Sequence, residues 1–210
     1  MKIKFVTALH GDEVTPVLAL SSINADQIVA NKKALSLHKR FIDMDMNKAF
    51  GTNGSSLEEK RADEILNQLQ LEQPDYVLDF HTTSAKTPPF AIITDPKMLN
   101  FAKTLGLNHI ILMKHNIKAG HALINHYNGV SVEAGTHNSP EAFENVIRIV
   151  NSATKGEKHT AILYEVYGLI ETPGKYINFV KHSDNFIPIL AGERAYDFYG
   201  LKARIVNSFS

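Results

Sequence analysis

No cysteine occurs among the 210 residues. Disulfides and thiolate chemistry are thereby excluded, and any metal site must use His, Asp or Glu. Neither sign of charge is in excess: Lys+Arg and Asp+Glu both total 22. Nothing in that balance favours nucleic acid or an anionic membrane, partners that usually draw a basic excess. No apolar run approaches the ~20 residues needed to span a bilayer. The opening residues Met1 to Thr7 read as a strand start, without the long apolar stretch and cleavage site of a signal peptide. A cytoplasmic protein is the expectation. There is also no internal repeat and no low-complexity segment.

What is present is enough apolar material, 44% of residues, for one substantial core with a small appendage. Apolar, β-rich runs at Ile3–Leu9, Gln27–Ala30, Tyr76–Phe80, Ala91–Thr94, His109–Met113 and Val130–Ala134 predict strands. Helices are predicted over Glu13–Ile23, Leu57–Leu71, Pro96–Leu105 and Pro140–Val150. Ser56 and Glu59 form a capping-box pattern at the second of these. Strands alternating with helices argue for an α/β layered domain over residues 1–153. Ser152 to His159 reads as a polar linker. The remainder, residues 154–210, reads as a short β-rich region with runs at Ala161–Ile170, Ile187–Leu190 and Leu201–Val206.

Chemistry-bearing residues gather where these strands stop. His10-Gly11-Asp12-Glu13 follows the first run, Asp79-Phe80-His81 ends another, and Glu133 ends a third. A zinc hydrolase needs two His and one carboxylate to hold the metal, and a free Glu to handle protons. His10 and Glu13 are close enough to grip one ion from a single turn, whereas His81 must arrive through folding. A lone His-x-x-Glu is common by chance. Asp79 and His81, two apart in a strand, point to the same side, so Asp79 can hydrogen-bond the imidazole and fix its tautomer. A carboxylate at the strand edge, as at Glu133, lies where α/β folds place active sites.

Four motifs in order carry a resemblance: His10-Gly-Asp-Glu13, RFIDMDMNKAF from Arg40 to Phe50, DFHTT from Asp79 to Thr83, and VEAG from Val132 to Gly135. Together they resemble the aspartoacylase/succinylglutamate desuccinylase family of the zinc carboxypeptidase-like clan, over roughly residues 3–150. Asn31 and Ala34 match its Asn-Pro-x-Ala lead-in, with Lys32 in place of Pro. The resemblance implies a three-layer α/β/α domain with a mixed central sheet. It implies one zinc per chain held by His10, Glu13 and His81, with Glu133 as general base. It implies that Arg40 steadies the oxyanion and that Asn47 and Lys48 hold a substrate carboxylate. Family members often self-associate, which makes a homo-oligomer an expectation by analogy.

Three departures bear on specificity. Lys48 stands where the family has Arg, keeping the charge but losing the bidentate fork. No Arg lies about ten residues before Glu133, where Leu123 sits; Lys114 and Lys118 are possible substitutes for binding an acidic side chain. The C-terminal region is short, which implies an open cleft and a bulkier substrate. The leading expectation is a zinc-dependent amidohydrolase acting on a small N-acyl amino acid. The alternatives are a zinc carboxypeptidase or peptidoglycan-type amidase, and a metal-binding protein without catalysis.

Other features have ordinary readings. His109, His115, His121, His126, His137, His159 and His182 are expected to be surface or core residues, although His126, Tyr127 and His137 lie near the Glu133 strand in sequence. Asp43 and Asp45 are expected to pair with Arg40 or cap backbone amides. Glu58-Glu59-Lys60-Arg61 is expected to be a solvated helix face and nothing more.

Overall fold

Period-two alternation decides which side of a sheet each strand residue serves. In the computed structural model, residues 1–113 and 119–209 are described, so Lys114, His115 and Lys118 lie outside the described residues. Nine strands form one sheet: β1 Ile3–Thr7, β2 Gln27–Val29, β3 Tyr76–Thr83, β4 Phe90–Ile93, β5 His109–Leu112, β6 Gly129–Thr136, β7 Ile162–Ile170, β8 Ile187–Ile189 and β9 Gly200–Val206. Their order is β2-β1-β3-β6-β4-β5-β7-β9-β8. The β2-β1-β3-β6 block is parallel, as are the β4-β5 and β5-β7 pairs, whereas β4 runs antiparallel to β6 and β9 to both β7 and β8. The sheet is therefore mixed, as expected.

Two helical layers cover it. Helix α1 (Val14–Ser22) and helix α6 (Pro140–Lys155) bring Ala19, Leu20, Val146 and Ile149 against Leu78, Phe80, Val130 and Val132. Helix α3 (Leu57–Glu72) packs Ala62, Ile65 and Leu69 against Val6, Ile28 and Val77. Leu78 and Phe80 serve the first layer and Val77 the second, so alternation turns Asp79 and His81 to the α3 side. The same parity on β6, where Val132 and Ala134 face α6, turns Ser131 and Glu133 to the α3 side too. Each such layer buries apolar area at roughly 25 cal/mol per Å².

The C-terminal residues extend this sheet. β7 pairs with β5, Ile110 opposite Leu163, and β9 with β7. A second apolar cluster joins Phe90, Ile92 and Ile111 to Tyr164, Val166, Ile187 and Leu201. The polar stretch Ser152–His159, expected as a linker, begins inside α6. Ala153 is fully buried and Thr154 Oγ1 donates to the Val150 carbonyl at 2.8 Å. The helix runs to Lys155 and stops at Gly156, whose φ of 72° places it in the left-handed region that favours glycine. Among the described residues no helix is long and apolar enough to cross a membrane.

Three short helices carry no periodic signal of their own in the sequence. Helix α2 (Lys32–Ser36) is capped by the Asn31 side chain, which accepts from the Ala34 N–H. Helices α4 (Leu99–Ala102) and α5 (Leu123–His126) are single turns, α4 lying inside the predicted 96–105 segment.

Candidate metal centre and adjoining slot

The parallel strands β1, β3 and β6 deliver their ends to one place. After β1 the chain turns through Ala8 (φ 53°) and extends its pairing to β2, as Ala30 N–H donates to the Thr7 carbonyl. Gly11 then passes against helix α2; a Cβ there would lie 2.1 Å from the Ala34 carbonyl carbon. That close approach puts His10 and Glu13 on the inner side of the turn, both buried. His81 and Glu133 sit opposite one another in the β3–β6 register.

The result is a compact donor set. Glu13 Oε1 lies 2.6 Å from His10 Nδ1, and its Oε2 lies 3.1 Å from His81 Nδ1. The three residues offer ligand atoms all within 4.8 Å of one another. The opposite ring nitrogens have partners: His81 Nε2 is 2.8 Å from Asp79 Oδ2, and His10 Nε2 is 3.0 Å from Asp45 Oδ1. Carboxylates that accept the outer N–H leave each inner Nδ1 lone pair free for a cation, the arrangement usual around metal-ligating histidines. Asp79 is held in turn by Ser131 Oγ at 3.0 Å. These residues form a site able to bind a metal ion.

Electrostatics follow from burial among opposite charges. Burial opposes ionisation of Glu13, but His10 and His81 overcome it and hold its carboxyl well below the usual range. Burial likewise opposes charge on His81, yet Asp79 and Glu13 raise it well above an ordinary imidazole. Glu133 behaves in the other direction. Its burial, with Glu13 and Glu193 nearby, outweighs His81 and Arg40 and pushes its pKa up to about 8. Glu133 Oε2 and Asn47 Oδ1 are buried without a hydrogen-bond partner among the described residues. Such orphaned polar atoms are costly unless a ligand or water satisfies them.

Arg40 stands at the rim, one-fifth exposed, with Nη2 3.0 Å from His10 Nε2 and Nη1 3.7 Å from Glu13 Oε1. Its backbone carbonyl accepts from Gly11 N–H at 3.0 Å, which ties it to the His10 turn. Burial disfavours its charge, but Glu13 and Asp45 keep the guanidinium's pKa raised. Asp45 does the two jobs weighed for it: it caps Asn47 N–H at 2.9 Å and lies 3.8 Å from Arg40 Nη2. Asn47 is buried, its Nδ2 3.5 Å from His81 Nε2, whereas Lys48 is exposed at the next position.

The solvated-face reading of Glu58 is overturned. Glu58 is fully buried and accepts four hydrogen bonds, from Asn31 Nδ2 and from the N–H groups of Ile42, Asp43 and Met44, at 2.7–3.3 Å. It anchors the loop that carries Arg40 and Asp45. A signal was present: Glu58, Ala62, Ile65 and Leu69 share one helical stripe, so Glu58 belongs to the inward face. Its neighbour Glu59 is part of the expected capping box with Ser56.

Next to Glu133 lies a slot of about 60 Å³. Asn47, His81, Ser131 and Glu133 form its polar end. Ile92, Met113, Ala122, Ile124 and Leu190 form its apolar wall, and Thr94, Asn125 and Tyr196 complete the lining. Leu190 and Tyr196 come from the C-terminal region, so this short region covers the site where an open cleft was expected. Sequence reasoning had no handle on either residue. Both lie in an irregular segment held by long-range contacts, such as Glu193 accepting from Ser84 N–H and Oγ, both at 2.8 Å. Burial and the nearby Glu133 raise the Tyr196 phenol's pKa, keeping it protonated. Of the remaining histidines, His137 bonds Thr82 Oγ1 at 2.7 Å, and His126 and Tyr127 line a separate outer groove.

The fold and this centre define a three-layer α/β/α protein with a buried two-histidine, one-carboxylate site at the ends of its parallel strands. The succinylglutamate desuccinylase/aspartoacylase catalytic domain model matches residues 2–154, and the chain belongs to that family. A probable aspartoacylase from Prochlorococcus marinus is 27% identical over 124 residues, 51% of this chain. That match spans 42% of the relative, so the chain aligns with under half of the curated protein's length. Among solved structures, the succinylglutamate desuccinylase of Chromobacterium violaceum superposes with a TM-score of 0.70 at 14% identity, covering 99% of this chain and 85% of that one. Murine aminoacylase 3 superposes with a TM-score of 0.71 at 19% identity, covering 98% and 95%. At these identities the structures speak for the fold.

Proposed function

We propose that this protein is a zinc-dependent amidohydrolase that cleaves the amide bond of a small N-acyl amino acid. The observation that carries the reading is the buried His10–Glu13–His81 cluster facing a carboxyl, Glu133, whose Oε2 has no partner among the described residues. His10, Glu13 and His81 would hold the ion, and two imidazoles with one carboxylate suit zinc. When bound, zinc supplies Lewis-acid polarisation of the carbonyl and lowers the pKa of water to about 7.

The chain's own residues would do the rest. Glu133 takes a proton from the attacking water and passes it to the departing nitrogen. The water oxygen joins the acyl carbon, the C–N bond breaks, and a carboxylic acid and an amine leave. Arg40, fixed by Asp45 and by its carbonyl bond to Gly11, donates hydrogen bonds to the oxyanion. Asn47 binds the carboxylate of the amino-acid half, with Lys48 adding charge from the solvent side. Asp79 and Asp45 keep the imidazoles in the tautomers that leave Nδ1 free. On this reading residues 1–153 carry the metal and proton chemistry, and residues 154–210 complete the sheet and roof the slot.

Metal analysis and turnover test it together. About one zinc per chain is expected, lost in His81→Ala. Glu133→Gln should retain the zinc and lose ~10²–10⁴ in kcat on N-acyl amino acids. Retained turnover in Glu133→Gln would refute the general-base role. A wild-type protein that takes up no zinc would refute the hydrolase, and peptide substrates preferred over N-acyl amino acids would move it to the peptidases.

A further inference from the structure

We infer that the slot beside Glu133 receives an uncharged aliphatic group of about two or three carbons carried by the substrate. This rests on the reading of the site as an amide-hydrolysing centre and names the substrate class it takes. The geometry begins with register. Phe90 lies opposite Glu133 and Ile92 opposite Ser131, so Ile92 follows Glu133 along the same face of the sheet. Met113, Ala122, Ile124 and Leu190 continue the apolar wall with Ile92, and Thr94 and Asn125 are its neutral polar members. The five apolar side chains are at most 9% exposed and belong to the second apolar cluster, which the C-terminal strands complete. A wall built from packed core does not reshape itself around a ligand at low cost.

Charge points the same way. No Lys or Arg lines the slot among its described residues, and the acid that does line it is Glu133. A substrate carboxylate placed there would lose its water without a Lys or Arg among the described lining residues to pair with, a demand that a neutral group does not make. An aliphatic tail loses nothing polar and gains from the burial of its apolar surface. Size sets the length. The slot's 60 Å³ is under half the roughly 150 Å³ of an apolar cavity that takes up benzene, which leaves room for about two or three carbons. Asn47 Oδ1 and Glu133 Oε2 are buried without a partner among the described residues, suited to the amide from which the tail extends.

The tail has two possible sources, the acyl chain or the amino-acid side chain, and two substrate series separate them. One varies the acyl group on glycine (acetyl, butyryl, succinyl); the other varies the amino acid under N-acetyl (alanine, norvaline, aspartate, glutamate). In one of the two, kcat/KM for the neutral aliphatic member should exceed that of the acidic member at least tenfold. Ala122→Val, which adds two methyls to the wall while keeping it apolar, should shift the optimum in that series to a shorter tail. Acidic members preferred in both series would overturn the inference and leave the hydrolase reading standing. If the zinc-loaded protein turns over none of these compounds, the hydrolase reading falls, and binding decides the slot by itself. Ligand-observed NMR with butyramide against succinamate then reads the tail charge without chemistry. Saturable binding of butyramide, weakened by Ala122→Val, is the expected result; tighter binding of succinamate overturns the inference.

Discussion

Single carboxylates in this protein do very different work, and their surroundings decide which. Glu13 is held ionised between two imidazoles, whereas Glu133 is pushed by burial to a pKa of about 8. In the metal-free protein Glu133 binds a proton that the unfolded chain releases near pH 4.5. Between about pH 4.5 and 8 the native state therefore holds more protons than the unfolded state, and this group's contribution to stability falls as pH rises. Glu133→Gln removes that dependence. Its urea midpoint should gain on the metal-free wild type as pH goes from 5 to 8, and a constant difference would contradict the assignment. Glu58 acts at a distance through the loop above it. Glu58→Gln keeps the shape but sets an amide N–H₂ against backbone donors, a loss of ~1–3 kcal/mol. Hydrogen exchange at Ile42–Met44 should quicken selectively. Turnover should fall in the wild-type background and much less in Arg40→Ala, because the loop's contribution runs through Arg40. Equal losses in both backgrounds would make Glu58 a folding residue alone.

At the scale of elements, the turn between β1 and α1 is the tightest joint in the site. Gly11 faces the backbone of α2 so closely that a methyl group would meet the Ala34 carbonyl carbon at 2.1 Å. Gly11→Ala must push apart the turn and the helix, displacing His10 from Glu13 or Arg40 from both. We expect loss of zinc binding well before loss of secondary structure, read by metal titration beside circular dichroism. Undiminished zinc affinity would show that the turn yields without moving its ligands. Element type and position were largely legible along the chain: the alternating and 3.6-residue patterns placed the long strands and helices close to their observed spans. Single-turn helices were not, since four or five residues complete no second repeat of an apolar stripe. The end of α6 was misplaced because Ser152, Thr154 and Lys155 look like linker residues, and only the buried Ala153 between them reveals the helix.

The whole molecule is one sheet, and that continuity has consequences for folding. β7 hydrogen-bonds to β5 and supports the apolar wall of the slot. A chain ended after Lys155 would leave the β5 edge unpaired and Phe90, Ile92 and Ile111 uncovered. It should lose cooperative thermal unfolding and expose dye-binding apolar surface; a sharp transition in that fragment would show that the first part folds alone. The amino-acid sequence by itself determined the layered class, the metal-ligand candidates and Glu133. Local periodicity and short motifs express those features, and a ligand set built from a turn and two strand ends is written in the spacing of those strands. Tertiary structure decided the rest. Glu58 became the anchor of the Arg40 loop because folding wraps that loop over the first turn of α3. Leu190 and Tyr196 joined the lining of the slot although they share no motif with Glu133, and they reach it because β7, β9 and β8 continue the same sheet.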